Sequence, residues 1–74
     1  MSLEERKALA NAEMWEVARW YSDETDRICR EQIEALGSEY RIDDPRNRTP
    51  FRAAHKEFAR RMKAICEKYD LLPA

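Results

Sequence analysis

The stretch that decides the fold is residues 3–36, LEERKALANAEMWEVARWYSDETDRICREQIEAL, which contains neither glycine nor proline. Apolar side chains recur in it every three or four residues, the spacing that keeps them on one face of an α-helix. This stripe comprises Leu3, Ala10, Met14, Val17, Tyr21, Ile28 and Ala35. Ser2 and Glu5 form a capping box, and Gly37 is the residue type that most often ends a helix. The sequence predicts one amphipathic helix over residues 3–36.

Ser22 begins the one competing signal inside this stretch. The residues Ser-Asp-Glu at 22–24 are typical of a helix N-terminus, and a break there would give a three-helix bundle. The apolar stripe keeps its phase across Ser22, which favours a continuous helix.

Residues 37–49 have the composition of a loop. Pro45 forces Asp44 out of the helical conformation, and aspartates favour local turns. Tyr40 and Ile42 are the large apolar residues of this segment, and we expect them to pin the loop onto the helix ends.

Thr49 and Pro50 predict the start of a second helix, because a threonine hydroxyl caps the N-terminus and proline suits the first turn. Its apolar stripe is Phe51, Ala54, Phe58, Met62, Ile65 and Tyr69. The chain is therefore predicted to be all-α and a single helical domain, residues 1–74. It is an antiparallel hairpin with a long helix at about 3–36, a loop at about 37–49 and a shorter helix at about 50–70.

The two predicted helices differ in length, at about 50 Å and about 30 Å. If they align at the loop, Asp70 lies beside Glu16, and the N-terminal part of the first helix lacks a partner within the chain. Trp20 lies off the main stripe as well, and tryptophan is enriched at protein interfaces. We expect a two-fold dimer that completes a four-helix bundle, a different protein partner, or both. The predicted partner-binding residues are Leu3, Leu9, Met14, Trp20, Arg46 and Arg48.

The net charge of −1 conceals an uneven distribution. Residues 1–40 hold ten acidic and five basic side chains, whereas residues 41–63 hold three acidic and eight basic ones. An alternative function is therefore nucleic-acid binding, in which the basic segment follows a phosphate backbone. The acidic first helix beside it and the lack of helix-turn-helix spacing weigh against this. The alternative nucleic-acid contacts are Arg41, Arg52, Lys56, Arg60 and Lys63.

The sequence shows no pattern typical of catalysis, a metal site or a cofactor. His55 is the one histidine, with no orienting partner or ligand set in view. In the predicted alignment Cys29 and Cys66 lie too far apart for a disulfide, at about 13 Å along the axis. With no signal peptide and no apolar stretch long enough to span a bilayer, we expect a cytoplasmic protein with reduced thiols. The predicted function is a non-enzymatic protein–protein interaction module, such as a small adaptor, assembly factor or inhibitor.

Overall fold

The computed structural model describes residues 1–41 and 43–71. Helix α1 (Leu3–Leu36) is followed by a 3-10 turn at Gly37–Glu39 and by helix α2 (Pro45–Lys68). Hydrogen bonds join Gln32 to Asn47 at the loop end and Arg6 to Tyr69 at the other end, so the helices are antiparallel. The predicted all-α hairpin with a longer first helix is confirmed.

Helix α1 begins and ends where the local sequence predicts. The Ser2 hydroxyl accepts a hydrogen bond from the Glu5 N–H at 3.1 Å. Gly37 has a φ of 55°, a conformation that glycine adopts without strain, and its N–H donates to the Ile33 carbonyl. The helix continues through Ser22, so the alternative three-helix bundle is wrong.

Helix α2 begins at Pro45, so the predicted start at Pro50 with Thr49 as the cap is wrong. Asp44 is the N-cap, and its carboxylate accepts from the Arg46 N–H at 2.9 Å. Asp44-Pro45 and Thr49-Pro50 carry the same kind of start signal, a capping side chain followed by proline. The upstream signal determines the start, and Pro50 lies inside the helix, where it lacks the N–H of a regular residue.

Contacts to Asn47 hold the additional first turn of α2 in place. Its side-chain amide donates to the Arg41 carbonyl at 2.7 Å, and its own carbonyl accepts from the Gln32 side chain at 2.6 Å. The turn is thus tied both to the preceding loop and to α1. The contact with Gln32 joins residues that are distant in sequence. The local sequence alone therefore could not show which of the two start signals begins α2.

The earlier start of α2 changes the alignment of the helices. Lys68 lies beside Glu13, and the Arg6 guanidinium donates to the carbonyls of Tyr69 and Asp70 at 3.2 and 3.1 Å. The predicted pairing of Asp70 with Glu16 is therefore wrong. Ala10, expected to lack a partner within the chain, is only 1% exposed.

The core of the hairpin is thin. Its buried side chains among the described residues are Ala10, Ile28, Ala54 and Ile65. Tyr21 and Phe58 pack between the helices, with 4.7 Å between their ring centroids. Within the described residues, neither helix combines the length and apolar character needed to cross a membrane.

The loop returns onto α1 through Tyr40, as predicted. Burial and a hydrogen bond with the Cys29 side chain raise the pKa of Tyr40. The corresponding prediction for Ile42 falls outside the described residues.

Candidate interaction surface

Ion pairs line one side of the hairpin, which we call the ionic side. Arg27 bridges Glu24 and Glu31 on α1, and on α2 hydrogen bonds from Arg60 and Arg61 lower the pKa of Glu57 to about 2. Across the helices, the Lys68 ammonium donates to Glu13 at 3.0 Å. A hydrogen bond from Tyr69 and this one from Lys68 lower the pKa of the Glu13 carboxyl.

Trp20 lies on the ionic side and is covered from within the chain. The Arg61 guanidinium lies 3.9 Å from the centroid of the Trp20 ring, a cation–π contact between the two helices. Trp20 is half-buried, so it offers less free surface than the sequence suggested. Its contact with a partner stays a prediction.

The other side of the hairpin is uncharged along both helices, and we call it the open face. On α1 it comprises Asn11, Met14, Trp15, Ala18, Ser22, Thr25, Cys29, Ile33 and Leu36, and on α2 Phe51, His55, Ala59, Met62 and Cys66. Met14 and Trp15 line one shallow depression together with Met62, which shows that the two stripes face the same way. The face thus joins both helices in one surface.

Trp15 is the most prominent side chain of the open face. It is 66% exposed, and Ile33 on the same stripe is 48% exposed. Exposed apolar patches on small proteins mark interaction sites more often than isolated apolar residues do.

The sequence contained a signal for this face that the main apolar stripe obscured. Trp15, Ser22, Cys29 and Leu36 are spaced by seven residues, and so are Asn11, Ala18 and Thr25. All are uncharged in a chain in which 39% of residues are charged. A repeat of seven is the spacing of helix-bundle seams, and it was missed because its members are mostly small or polar.

Charged side chains border the open face along both edges. Asp23, Asp26 and Arg30 lie beside Cys29 on α1. On α2, Arg48, Arg52 and Lys56 line a depression together with three aromatic residues. These aromatic residues are Tyr21, Phe51 and His55.

The remaining predicted partner-binding residues are spread over the molecule. Leu3 is exposed near the start of α1, and Leu9 is 44% exposed. Leu9 precedes Trp20 by eleven residues, about three turns, which places it toward the ionic side. Met14 and Arg48 belong to the open face and its edge.

Arg46 stabilises the start of α2. Its side chain and its backbone N–H both bind the Asp44 carboxylate, and these hydrogen bonds lower the pKa of Asp44 to about 2. Arg46 therefore secures the N-cap of α2, and its contact with a partner stays a prediction.

The alternative nucleic-acid contacts do not form one uninterrupted basic ridge. Arg60 binds Glu57 on the ionic side, and Lys63 lies 4.0 Å from Glu67. Arg52 and Lys56 remain at the edge of the open face, and Arg41 is exposed in the loop. The structure thus divides the segment that the sequence suggested as a phosphate-binding surface.

The polar groups of the described residues do not converge on a catalytic arrangement. His55 is exposed beside Tyr21 and Phe58, with ring centroids 6.3 Å away in each case. Cys29 and Cys66 are free thiols. Over residues 1–41 and 43–71 no three histidine, cysteine or carboxylate side chains cluster as metal ligands would.

Comparison with known proteins yields no matching protein-family model, curated protein or solved structure.

Proposed function

We propose that this chain is a non-catalytic protein–protein interaction module that self-associates through its open face. The observation that carries the proposal is the uncharged band shared by α1 and α2, in which Trp15 is 66% exposed. Tryptophan supplies much of the binding energy at protein interfaces when it is buried there.

The thin core of the hairpin supports the same proposal. Among the described residues, two of the four buried side chains are alanines, which contribute little apolar area. A core in a chain of this size supplies only about 3–5 kcal/mol of stability, and small scaffolds often gain the rest by association. Burying the open face adds apolar area without changing either helix.

A second copy completes the structure in the simplest way. Two hairpins stacked on their open faces form a four-helix bundle, and two-fold homodimers are the commonest assemblies. The seven-residue repeat from Trp15 to Leu36 runs along most of α1, as the seam of such a bundle requires.

Sedimentation equilibrium of the wild type, Trp15→Glu and Leu9→Glu tests the proposal. We expect the wild type to reach twice the 8.8 kDa chain mass, and Trp15→Glu to dissociate it because a carboxylate would be buried. The new glutamate lies four residues before Arg19, a favourable spacing, so the helix itself keeps its stability.

Leu9→Glu is the matched control, because it makes the same kind of change at an exposed apolar residue away from the open face. We expect it to associate like the wild type. A wild type that stays at the mass of one chain at its highest soluble concentration would contradict the proposal. A larger loss with Leu9→Glu than with Trp15→Glu would move the contact to the N-terminal region that the sequence suggested.

A further inference from the structure

We infer that the chain also binds single-stranded nucleic acid, in the depression that α2 forms beside Tyr21. We call this depression the basic cleft. Its cationic residues are Arg48, Arg52 and Lys56, and its aromatic residues are Tyr21, Phe51 and His55. The inference goes beyond the proposed function, because the basic cleft lies within one chain and needs no second copy.

The three cations of the basic cleft form one row along α2. Arg48, Arg52 and Lys56 follow each other at intervals of four residues, about 6 Å along the helix axis. All three are exposed, and none forms an ion pair with a residue that the structure describes. The row therefore presents uncompensated positive charge, with guanidinium and ammonium donors that suit phosphate oxygens.

Other cations of the hairpin also lack an ion pair, but they have carboxylates beside them. Arg19 lines a depression together with Asp23, and Arg30 lines another with Asp23 and Asp26. Among the described residues that line the basic cleft, none is acidic. The positive charge of these α1 cations is thus offset by neighbouring carboxylates, whereas that of the basic cleft has no such neighbour in its lining.

The aromatic residues form a second row between the cations and α1. Phe51 and His55 each precede a cation of the row, so their positions lie about 100° around α2 from the cations. Tyr21 joins them from α1, with its ring centroid 6.3 Å from that of His55. His55 is exposed, and Phe51 and Tyr21 are half-buried. Part of each ring is therefore accessible to a stacking base.

The two rows match the two components of a single strand. A strand that follows α2 places its phosphates on the outer row of cations and turns its bases toward the inner row of rings. The bases of a duplex are already stacked and paired, so they would leave the rings unused. An extended peptide would need acceptors for its N–H groups, and no carboxylate or side-chain amide is among the described residues lining the cleft. The lining therefore favours a nucleic-acid strand over an acidic peptide.

Fluorescence anisotropy of short labelled oligothymidylate and oligouridylate, over a series of salt concentrations, tests the phosphate contacts. We expect binding at low salt, with a slope of about −2 for log affinity against log salt concentration, because three phosphate contacts each contribute about −0.7. The double variant Arg52→Gln/Lys56→Gln should reduce this slope to about −0.7 and weaken binding at low salt about tenfold. Both side chains are exposed, so the fold is retained.

Arg19→Gln/Arg30→Gln is the matched control for the charge change. It removes the same charge from two exposed cations of α1 that also lack ion pairs among the described residues. We expect the slope and affinity of the wild type. An equal loss in this control would show a general effect of net charge and overturn the inference.

Substitutions of His55 test the stacking contact. His55→Ala should weaken binding about fivefold, and His55→Phe should restore it because a ring is present again. Trp15→Ala is the matched control, since it removes an exposed ring outside the basic cleft. It should bind at least as tightly as the wild type, because Phe51 and His55 also belong to the open face and a weaker dimer competes less for them. A fivefold loss in Trp15→Ala with none in His55→Ala would overturn the inference.

Competition experiments on the wild type distinguish the classes of ligand. Unlabelled oligothymidylate should displace the labelled strand, whereas a duplex or polyglutamate of similar charge should do so poorly. A duplex that competes equally well would show that the rings take no part, and equal competition by polyglutamate would assign the cleft to an acidic polypeptide. Either result overturns the inference, as does a wild type that binds neither strand at low salt. The proposed function would remain standing in each case, because sedimentation equilibrium without nucleic acid tests it separately.

Discussion

The two tryptophans of α1 show how differently the two sides of the hairpin are completed. Trp20, on the ionic side, lies under the Arg61 guanidinium at 3.9 Å. Trp15, on the open face, is 66% exposed. Successive residues of an α-helix lie about 100° apart around its axis, so positions 15 and 20 are about 140° apart. The two rings therefore point to different sides of the same helix. The chain itself covers Trp20 and leaves Trp15 exposed.

The difference arises from what α2 places opposite each ring. Arg61 is positioned over Trp20 and is itself fixed by Glu57 at 3.0 Å. Beside Trp15, α2 contributes Met62 to a shallow depression and no group that covers the ring. Where a charged side chain reaches across the helices, an aromatic residue becomes part of the hairpin. Where none does, the same residue type remains available for binding.

The largest effect on stability is expected from a substitution in the core between the two helices. Ile65→Ala removes one of the four buried side chains and should lower the free energy of unfolding by about 2–4 kcal/mol. Because a core of this size supplies only about 3–5 kcal/mol, the monomeric variant should retain at most about 3 kcal/mol and should unfold at a lower urea concentration than the wild type. Urea unfolding followed by circular dichroism measures this, and an unfolding free energy equal to that of the wild type would contradict the role of Ile65 in the core.

An intermediate effect should separate the two tryptophans. At concentrations where the chain is monomeric, Trp20→Ala should lower the free energy of unfolding by about 1–2 kcal/mol, because packing and the cation–π contact are both lost. Trp15→Ala should change it by less than about 0.5 kcal/mol under the same conditions. Equal losses in urea unfolding would show that the two sides are completed in the same way.

The smallest effect on stability is expected from lowering the pH. Hydrogen bonds from Arg60 and Arg61 lower the pKa of Glu57 from 4.5 to about 2. A folded-state pKa below the unfolded value means that this contribution is complete above pH 4.5 and is lost as the pH falls toward about 2. The thermal midpoint should fall through this range, and less so in Glu57→Gln, whose own midpoint at neutral pH is lower. An identical pH profile in the variant would show that Glu57 contributes nothing to the ionic side.

Local signals were sufficient to predict α1. Its cap at Ser2, its end at Gly37 and its apolar stripe all lie within or next to the helix, so none of them needs another part of the chain. The start of α2 was different, because Asp44-Pro45 and Thr49-Pro50 are chemically similar signals. The hydrogen bond from Gln32 to Asn47 distinguishes them, and that contact exists only once the helices have packed.

The sequence by itself determined an all-α hairpin, since helix caps and apolar spacing depend on neighbouring residues along the chain. Only the tertiary structure decided which apolar residues the hairpin covers. The earlier start of α2 shifts the alignment of the helices and places Arg61 over Trp20. Trp15, about 140° from Trp20 around α1, stays 66% exposed. Which apolar residues stay exposed therefore depends on how the two helices pack, a property that neither helix carries alone.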